Sequence, residues 1–172
     1  MNPEDIIYWR LTDEERWQRY CGFLHLGVAE FLEVQHGLLA DQLQRVGASP
    51  LGRRILGSDP PKSVEEFRAR APLTTYDDYE PSLSSRDESV LAARPLLWCH
   101  SSGRGGRFKW IPHSVEMMDA TARNVFAICL LASASRRGEI NVAPGLRFLT
   151  TLPPEPYTAG ALFAHFCRRF TV

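Results

Sequence analysis

The first half of the chain carries apolar residues at the spacing of an amphipathic helix. From Trp17 to Val46 they recur at three- and four-residue steps, which predicts a long helix. Thr12 followed by Glu15 has the form of a capping box, so we expect the helix to begin there, and Gly47 is placed to end it. Three glycines weaken the helix locally, so a break near one of them is expected. They are Gly22, Gly27 and Gly37.

Shorter elements follow this helix. Residues 49–61 predict a loop, because serine, proline, glycine and aspartate are frequent there. Ser63 and Glu66 form a second capping box, and the short helix that they open must stop before Pro72. Thr75 is placed to cap another short helix. Three acidic residues near that cap suit either a metal site or the positive end of a helix, and we prefer the helix end because it is commoner. They are Asp77, Asp78 and Glu80.

The second half of the chain alternates short apolar runs with longer helical patterns. Residues 96–99 and 108–111 are short, aromatic and branched, so each predicts a strand, and residues 146–150 are a third strand candidate. A helix is predicted from Ser114 to about Gly138, and another over residues 160–170. This order of helices, then alternating strands and helices, indicates an α/β fold.

Side-chain alternation along the second predicted strand gives a specific expectation. Phe108 and Trp110 should share one face, with Lys109 and Ile111 on the other. Near the end of the sequence, four apolar residues are expected to require a partner surface. They are Leu162, Phe163, Phe166 and Phe170.

Charge and composition exclude several classes of function. The 172 residues contain 20 basic and 20 acidic side chains, so no general attraction to nucleic acid or to a membrane is expected. Residues 1–86 carry a net charge of −4 and residues 87–172 a net charge of +4, which favours an anionic ligand in the second half. Neither a signal peptide nor an apolar run of membrane-spanning length is found, so a cytoplasmic location is expected. Four widely separated cysteines have no spacing for zinc.

Residues 101–109, Ser-Ser-Gly-Arg-Gly-Gly-Arg-Phe-Lys, are the best candidate for a binding site. Glycines let backbone N–H groups point together into a concavity that suits an anion. The serine hydroxyls add donors, while Arg104, Arg107 and Lys109 add positive charge. These features describe a phosphate-binding loop, but a plain hairpin turn with solvent-facing arginines remains an alternative. The spacing matches neither the Walker motif nor a dinucleotide-binding motif.

This segment resembles the phosphate-binding loop of the adenylate-forming superfamily, Ser/Thr-Ser/Thr-Gly-Thr-Thr-Gly-x-Pro-Lys. Arg104 and Gly105 replace the two threonines, and Phe108 replaces the proline. Five residues match without a gap: Ser101, Ser102, Gly103, Gly106 and Lys109. The wider sequence resembles the Gretchen Hagen (auxin-responsive promoter) family of acyl-acid amido synthetases, through several segments in the family's order. They cover residues 49–52, 63–67, 72–80, 108–112 and 153–160.

The resemblance implies ATP-dependent activation of a small carboxylic acid as an acyl-adenylate, with Mg²⁺, followed by transfer to an amine. It gives phosphate contacts to Ser101, Ser102, Gly103, Arg104, Gly105, Gly106 and Lys109, and it identifies neither a catalytic residue nor a metal ligand. An acyl-CoA ligase of the phenylacetate type, with a thiol acceptor, is an alternative. So is a truncated module that binds a nucleotide without catalysis. Nucleic acid and membrane are not expected partners.

The resemblance also implies how the chain is organised. Residues 1–172 are expected to be an incomplete N-terminal domain of an adenylate-forming ligase, with a glycine-loop hairpin after the N-terminal helices. Residues 1–93 would be a mainly helical lead-in, and residues 94–172 the α/β part that carries the phosphate loop. Alone, the chain is expected to be inactive in adenylation.

Overall fold

The structure, a computed structural model, describes residues 3–103, 106–143, 147 and 149–170, with side chains from residue 7 onward. These residues form a mostly helical α/β chain with one small sheet, which confirms the expected mixed class. The helices are α1 (Pro3–Arg10), α2 (Asp13–Cys21), α3 (Val28–Ala48), α4 (Pro50–Leu56), α5 (Val64–Arg70), α6 (Val115–Ser133) and α7 (Thr158–Arg169). Short 3-10 helices cover Gly22–His25, Tyr76–Tyr79 and Glu88–Val90. The strands are β1 (Leu97–His100) and β2 (Trp110–His113).

The chain folds into two compact units. The first combines residues 1–25 with residues 115–172, and the second consists of residues 26–114. The first unit is therefore discontinuous in sequence, whereas the second, which contains β1, β2 and the segment between them, is a single stretch of chain.

Aromatic side chains dominate the core of the first unit. The ring of Phe126 on α6 stacks on Phe170 with centroids 4.3 Å apart, and Tyr8 and Tyr20 meet Phe126 edge-on at 4.9 and 5.0 Å. Offset and edge-on ring contacts of this kind add to the free energy gained by burying apolar area. Phe166 and Phe170 are almost completely buried. The expectation that these two residues need a partner surface is therefore wrong, because Phe166 on α7 and Phe170 directly after it lie in the same core as Phe126 and Tyr20.

Helix α2 begins at the capping residues that the sequence predicts. The Thr12 hydroxyl accepts a hydrogen bond from the Glu15 N–H at 3.3 Å, and the Glu15 carboxylate accepts one from the Thr12 N–H at 2.7 Å. The predicted capping box is thus confirmed at the start of α2. The predicted break is also confirmed, since the segment between Gly22 and Gly27 separates α2 from α3. Helix α1 has no counterpart among the predicted elements.

In the second unit, the predicted loop over residues 49–61 is wrong for its first half. Ser49 caps α4, accepting a hydrogen bond from the Gly52 N–H at 3.0 Å and donating one to the Val46 carbonyl at 2.7 Å. Gly47 does not act as the helix-ending glycine either. It lies inside α3, where a Cβ would come within 2.6 Å of the Pro60 ring, so its small size permits close packing.

The later elements agree in part with prediction. Ser63 caps α5, which ends at Arg70, before Pro72. The third strand candidate falls partly on Leu146 and Phe148, which lie outside the described residues, while the described residues 147, 149 and 150 have no regular secondary structure. Among the described residues, no helix is both long and apolar enough to cross a membrane.

Candidate functional site: the glycine-rich segment between β1 and β2

Strands β1 and β2 pair antiparallel on either side of the candidate segment. Their register places Leu97 opposite His113 and His100 opposite Trp110. The pairing extends one step further, since the Ser101 N–H donates to the Lys109 carbonyl at 3.0 Å and the Lys109 N–H donates to the Ser101 hydroxyl oxygen at 3.2 Å. The hydroxyl therefore acts as an acceptor toward the backbone and keeps its own O–H for another partner.

The glycines of the segment adopt conformations that favour glycine. Gly103 has φ +69° and Gly106 has φ +96°, both in the region that other residues rarely adopt. The Gly106 N–H donates to the Gly103 carbonyl at 2.9 Å, so in this conformation it is not a free donor for a phosphate. Arg104 and Gly105, two of the predicted phosphate contacts, lie outside the described residues.

Aromatic rings pack around the ends of the two strands. The ring of His100 contacts Phe108 at a centroid distance of 4.4 Å and Trp110 at 5.3 Å. Both residues thus contact one ring; since Phe108 and Lys109 lie before β2, the predicted alternation of faces over residues 108–111 stays a prediction. The guanidinium of Arg86 lies 4.7 Å from the centre of the Trp110 ring. These contacts hold the strand that follows the candidate segment against the residues before it.

Lys109 lies where the segment enters β2, with its side chain exposed. Its ammonium is 5.4 Å from the centre of the Tyr76 ring, within the range of a cation–π interaction. No ion pair joins it to a carboxylate among the described residues. The Tyr76 hydroxyl in turn donates a hydrogen bond to the Trp110 carbonyl at 3.1 Å. Lys109 therefore presents its charge next to a ring that is itself fixed to β2.

Arg107 has a different environment. Its guanidinium forms ion pairs with Asp77 and with Glu80, the latter at 3.3 Å. The expectation that Arg107 supplies positive charge to a phosphate is therefore not supported by this geometry, since two carboxylates neutralise it. Asp78 accepts a hydrogen bond from the Thr75 N–H at 2.6 Å, as expected of an acid at a helix start.

The acidic residues around the 3-10 helix do not form a metal site. Asp77 and Glu80 point to Arg107, and Asp78 caps the helix. Among the described residues, no group of three or more histidine, cysteine, aspartate or glutamate side chains is placed to hold a metal ion. A cavity of about 490 Å³ lies between α3 and the segment around Pro60 and Pro61, and the described residues of the glycine-rich segment do not line it.

Comparison with protein families identifies the chain. A family model described as the GH3 family N-terminal domain matches residues 24–165. The chain belongs to the GH3 family. This is the Gretchen Hagen 3 family of adenylate-forming acyl-acid amido synthetases, which the sequence resembles. Comparison with curated proteins and with solved structures gives no match. The matched range of this GH3 domain includes both the glycine-rich segment and the 3-10 helix that contacts it.

The partners of Arg107 and Lys109 could not be predicted from the sequence of this GH3 chain. Tyr76 contacts Lys109, and Asp77 and Glu80 contact Arg107, although about 30 residues separate them in sequence. The signal in the sequence is indirect. Residues 72–80 are one of the segments that resemble the family, but nothing in their pattern indicates which side chains they meet.

Proposed function

We propose that this GH3 domain supplies the phosphate-binding part of an enzyme that activates a carboxylic acid with ATP and then transfers the acyl group to an amine. Family membership supports both the adenylate chemistry and the amine acceptor. A carboxylate is a poor acyl donor until its oxygen belongs to a good leaving group. Formation of an acyl-adenylate, with release of pyrophosphate, provides that leaving group.

The observation that carries the proposal is the position of Lys109. Its backbone is hydrogen-bonded to Ser101 where the strands meet the loop, and its ammonium has no carboxylate partner among the described residues. A compact cation suits phosphate oxygens, and so does the Ser101 hydroxyl, which accepts from the Lys109 N–H and can still donate its own O–H. Ser102 and the backbone at Gly103 would add donors on the same segment.

The chemical role of such a site is electrostatic. Negative charge grows on the departing pyrophosphate as the acid attacks the α-phosphate, and fixed donors and cations aimed at that charge lower the barrier. Lys109 would bind the leaving phosphates, and Arg104 would add a second charge with two donors for a phosphate.

Mg²⁺ fits this arrangement as a substrate-borne ion. In such sites phosphate oxygens and water supply most of its ligands. Among the described residues, the carboxylates of Asp77 and Glu80 contact the loop, and both form ion pairs with Arg107. When bound, the ion would neutralise part of the phosphate charge.

Binding of phosphate compounds tests the proposal directly. We expect pyrophosphate and ATP to bind the 172-residue chain at the same site. Lys109→Ala should weaken both about 10- to 100-fold, as for loss of a charge-assisted hydrogen bond. AMP, which lacks the departing phosphates, should be much less affected by this change. Calorimetric titration measures all three ligands.

The chain offers a matched control, because Lys62 is its other lysine. Lys62 is exposed and lies 3.7 Å from a carboxylate oxygen of Asp59. Lys62→Ala removes the same charge and should leave the affinities unchanged. Equal losses in the two variants, or no binding of pyrophosphate by the parent chain, would contradict the proposed function.

Turnover is a separate question. We expect the 172 residues to bind these ligands without adenylating an acid, because the loop binds phosphates and does not hold the acid. Holding the acid and ATP in reacting geometry can account for about 7–11 kcal/mol of a barrier. Acid-dependent exchange of labelled pyrophosphate into ATP measures this, and robust exchange would show that the chain holds the acid as well.

A further inference from the structure

We infer that the segment from Tyr76 to Glu80, called here the buttress, positions the phosphate loop, and that Arg107 is its attachment point rather than a phosphate ligand. The inference rests on the proposed function for the role of the loop. It adds a positioning role for Tyr76, Asp77 and Glu80, and it removes Arg107 from the set of anion contacts.

The first attachment is made by Tyr76. Its hydroxyl donates to the Trp110 carbonyl at 3.1 Å, and its ring lies 5.4 Å from the ammonium of Lys109. One side chain thus holds both the backbone of β2 and the cation that precedes it. A tyrosine hydroxyl is protonated at neutral pH and can donate, and burial raises the pKa of Tyr76 further.

The second attachment is made by Arg107. Two nitrogens of its guanidinium reach two carboxylates, those of Asp77 and Glu80. The three side chains together carry a net negative charge, which would repel a phosphate rather than attract one. A guanidinium that is engaged on two sides restrains the backbone from which it projects.

The buttress itself is fixed at its start. Asp78 accepts hydrogen bonds from the N–H of Thr75 at 2.6 Å and from its hydroxyl at 3.3 Å. The hydroxyl of Thr74 is hydrogen-bonded to that of Tyr79 at 2.7 Å. Internal bonds of this kind reduce the freedom of a short 3-10 helix, so the ring and the carboxylates are presented to the loop in a defined position.

An alternative is that Arg107 is a phosphate ligand for which the carboxylates compete in the absence of phosphate. The two interpretations predict opposite signs for one double variant, Asp77→Asn with Glu80→Gln. If Arg107 is an attachment point, its release loosens the loop and weakens pyrophosphate binding. If Arg107 is a masked ligand, its release strengthens binding.

A matched double variant controls for net charge. In the same unit, Arg70 pairs with Asp59 at 3.5 Å and with Glu66 at 3.7 Å. Asp59→Asn with Glu66→Gln therefore also frees one arginine from two carboxylates and removes two negative charges. Any general gain in anion binding from the altered charge appears in this control and is subtracted.

Two measurements are made on the full chain and both double variants: titration with inorganic pyrophosphate, and hydrogen exchange of the Ser101 and Lys109 amides. Relative to the control, we expect the buttress variant to bind about two- to fivefold more weakly, a range typical of exposed ion pairs. The two amides should exchange faster by a similar factor. Tighter binding would overturn the inference, and so would unchanged binding with unchanged exchange.

Substitutions of Tyr76 provide an independent test of the inference. Tyr76→Phe keeps the ring beside Lys109 and loses the hydrogen bond to Trp110, whereas Tyr76→Leu loses both contacts. We expect pyrophosphate affinity to fall from the parent to Tyr76→Phe and further to Tyr76→Leu. If the ring positions the ammonium, the larger step is the one from phenylalanine to leucine. Equal affinity of the parent and the leucine variant would contradict a positioning role for Tyr76.

The design separates this inference from the proposed function. If the parent chain does not bind pyrophosphate, the proposed function fails, and hydrogen exchange alone then decides whether the buttress restrains the segment. If the parent binds and none of the variants changes affinity or exchange, the proposed function stands and the buttress inference fails.

Discussion

The ring of Phe108 packs so closely on Gly103 that a Cβ at Gly103 would lie 2.8 Å from two ring carbons. Gly103 also has φ +69°, which costs other residues about 1–2 kcal/mol. We therefore expect Gly103→Ala to destabilise the hairpin and to displace Phe108 from His100. Urea unfolding gives the loss of stability, and pyrophosphate titration shows whether the loop is altered.

Gly106→Ala is the control for the conformational part of this effect. Gly106 has φ +96°, but no atom of the described residues lies within 4 Å of the point that a Cβ would occupy, so the substitution adds strain without a collision with them. We expect it to cost less than Gly103→Ala. Equal costs would mean that the contact with Phe108 contributes nothing.

Helical glycines of the second unit give a second prediction. A Cβ at Gly52 would lie 1.8 Å from the Val46 carbonyl oxygen, so Gly52→Ala must separate α4 from the end of α3. Gly37, in α3, has no atom of the described part of the chain within 4 Å of that position, and Gly37→Ala should stabilise the chain by about 0.5–1 kcal/mol. Thermal or urea unfolding of the two variants should shift in opposite directions.

These glycines also show which parts of the fold can be predicted from the sequence. Capping residues such as Thr12 and Ser63 act on groups three residues away, so their helices could be predicted from local pattern. Ser49 carries the same local signal, because a capping serine followed by Pro50 predicts the start of a helix, but the frequent serine, proline and glycine residues favour a loop instead. The sequence does not show that Gly52 must be a glycine, because this depends on its closeness to Val46. The sequence shows that a glycine is present, but only the structure shows the neighbouring atom, here the Val46 carbonyl oxygen, that leaves no room for a larger residue.

The same distinction applies to the candidate site. Strands on either side of residues 101–109 follow from apolar runs, and the phosphate chemistry follows from residue types and the family resemblance. The partners of the charged side chains do not. Arg107 and Lys109 are equivalent as positive charges in the sequence, yet one meets two carboxylates and the other an aromatic ring. Similarly, no local pattern indicates that residues 1–25 pack with residues 115–172.

A third prediction concerns the contact between α6 and α7. Asp119 lies 2.8 Å from the Nε2 of His165 and 3.1 Å from a guanidinium nitrogen of Arg169, and all three side chains are largely buried. Asp119→Ala removes the acceptor for both and should destabilise the first unit by about 1–3 kcal/mol. Asp119→Asn keeps one acceptor oxygen and should cost less. Urea unfolding followed by tryptophan fluorescence measures the order, and an alanine variant as stable as the parent would contradict it.

The last prediction concerns His113, which ends β2 and is only 3% exposed. Neither of its ring nitrogens has a hydrogen-bond partner among the described residues. Burial lowers the pKa of His113 below its usual value, because the charged ring would lose its hydration without gaining a partner. The folded chain therefore holds this residue neutral under conditions in which the unfolded chain begins to protonate it.

The sign of the pH dependence follows from this difference. Below about pH 6.5 the unfolded chain binds a proton at His113 that the folded chain does not, so the free energy of unfolding falls as the pH falls. The slope for one proton is at most about 1.4 kcal/mol per pH unit, and it vanishes once the folded chain also binds the proton. Above about pH 7.5 the residue should have no effect on the pH dependence.

Replacement by an apolar residue tests the point. His113→Leu removes two buried polar atoms that have no partner among the described residues, so we expect the variant to be about as stable as the parent at pH 7.5. Between pH 7 and pH 5.5 the free energy of unfolding should fall less for the variant than for the parent. His36→Leu makes the same replacement at an exposed position on α3 and is the control for exchanging a histidine for a leucine. Other histidines contribute equally to the parent and to the variant, so the difference between their urea unfolding curves isolates His113. Parallel curves for the parent and His113→Leu over this range would show that the ring is protonated as easily in the folded chain as in the unfolded one.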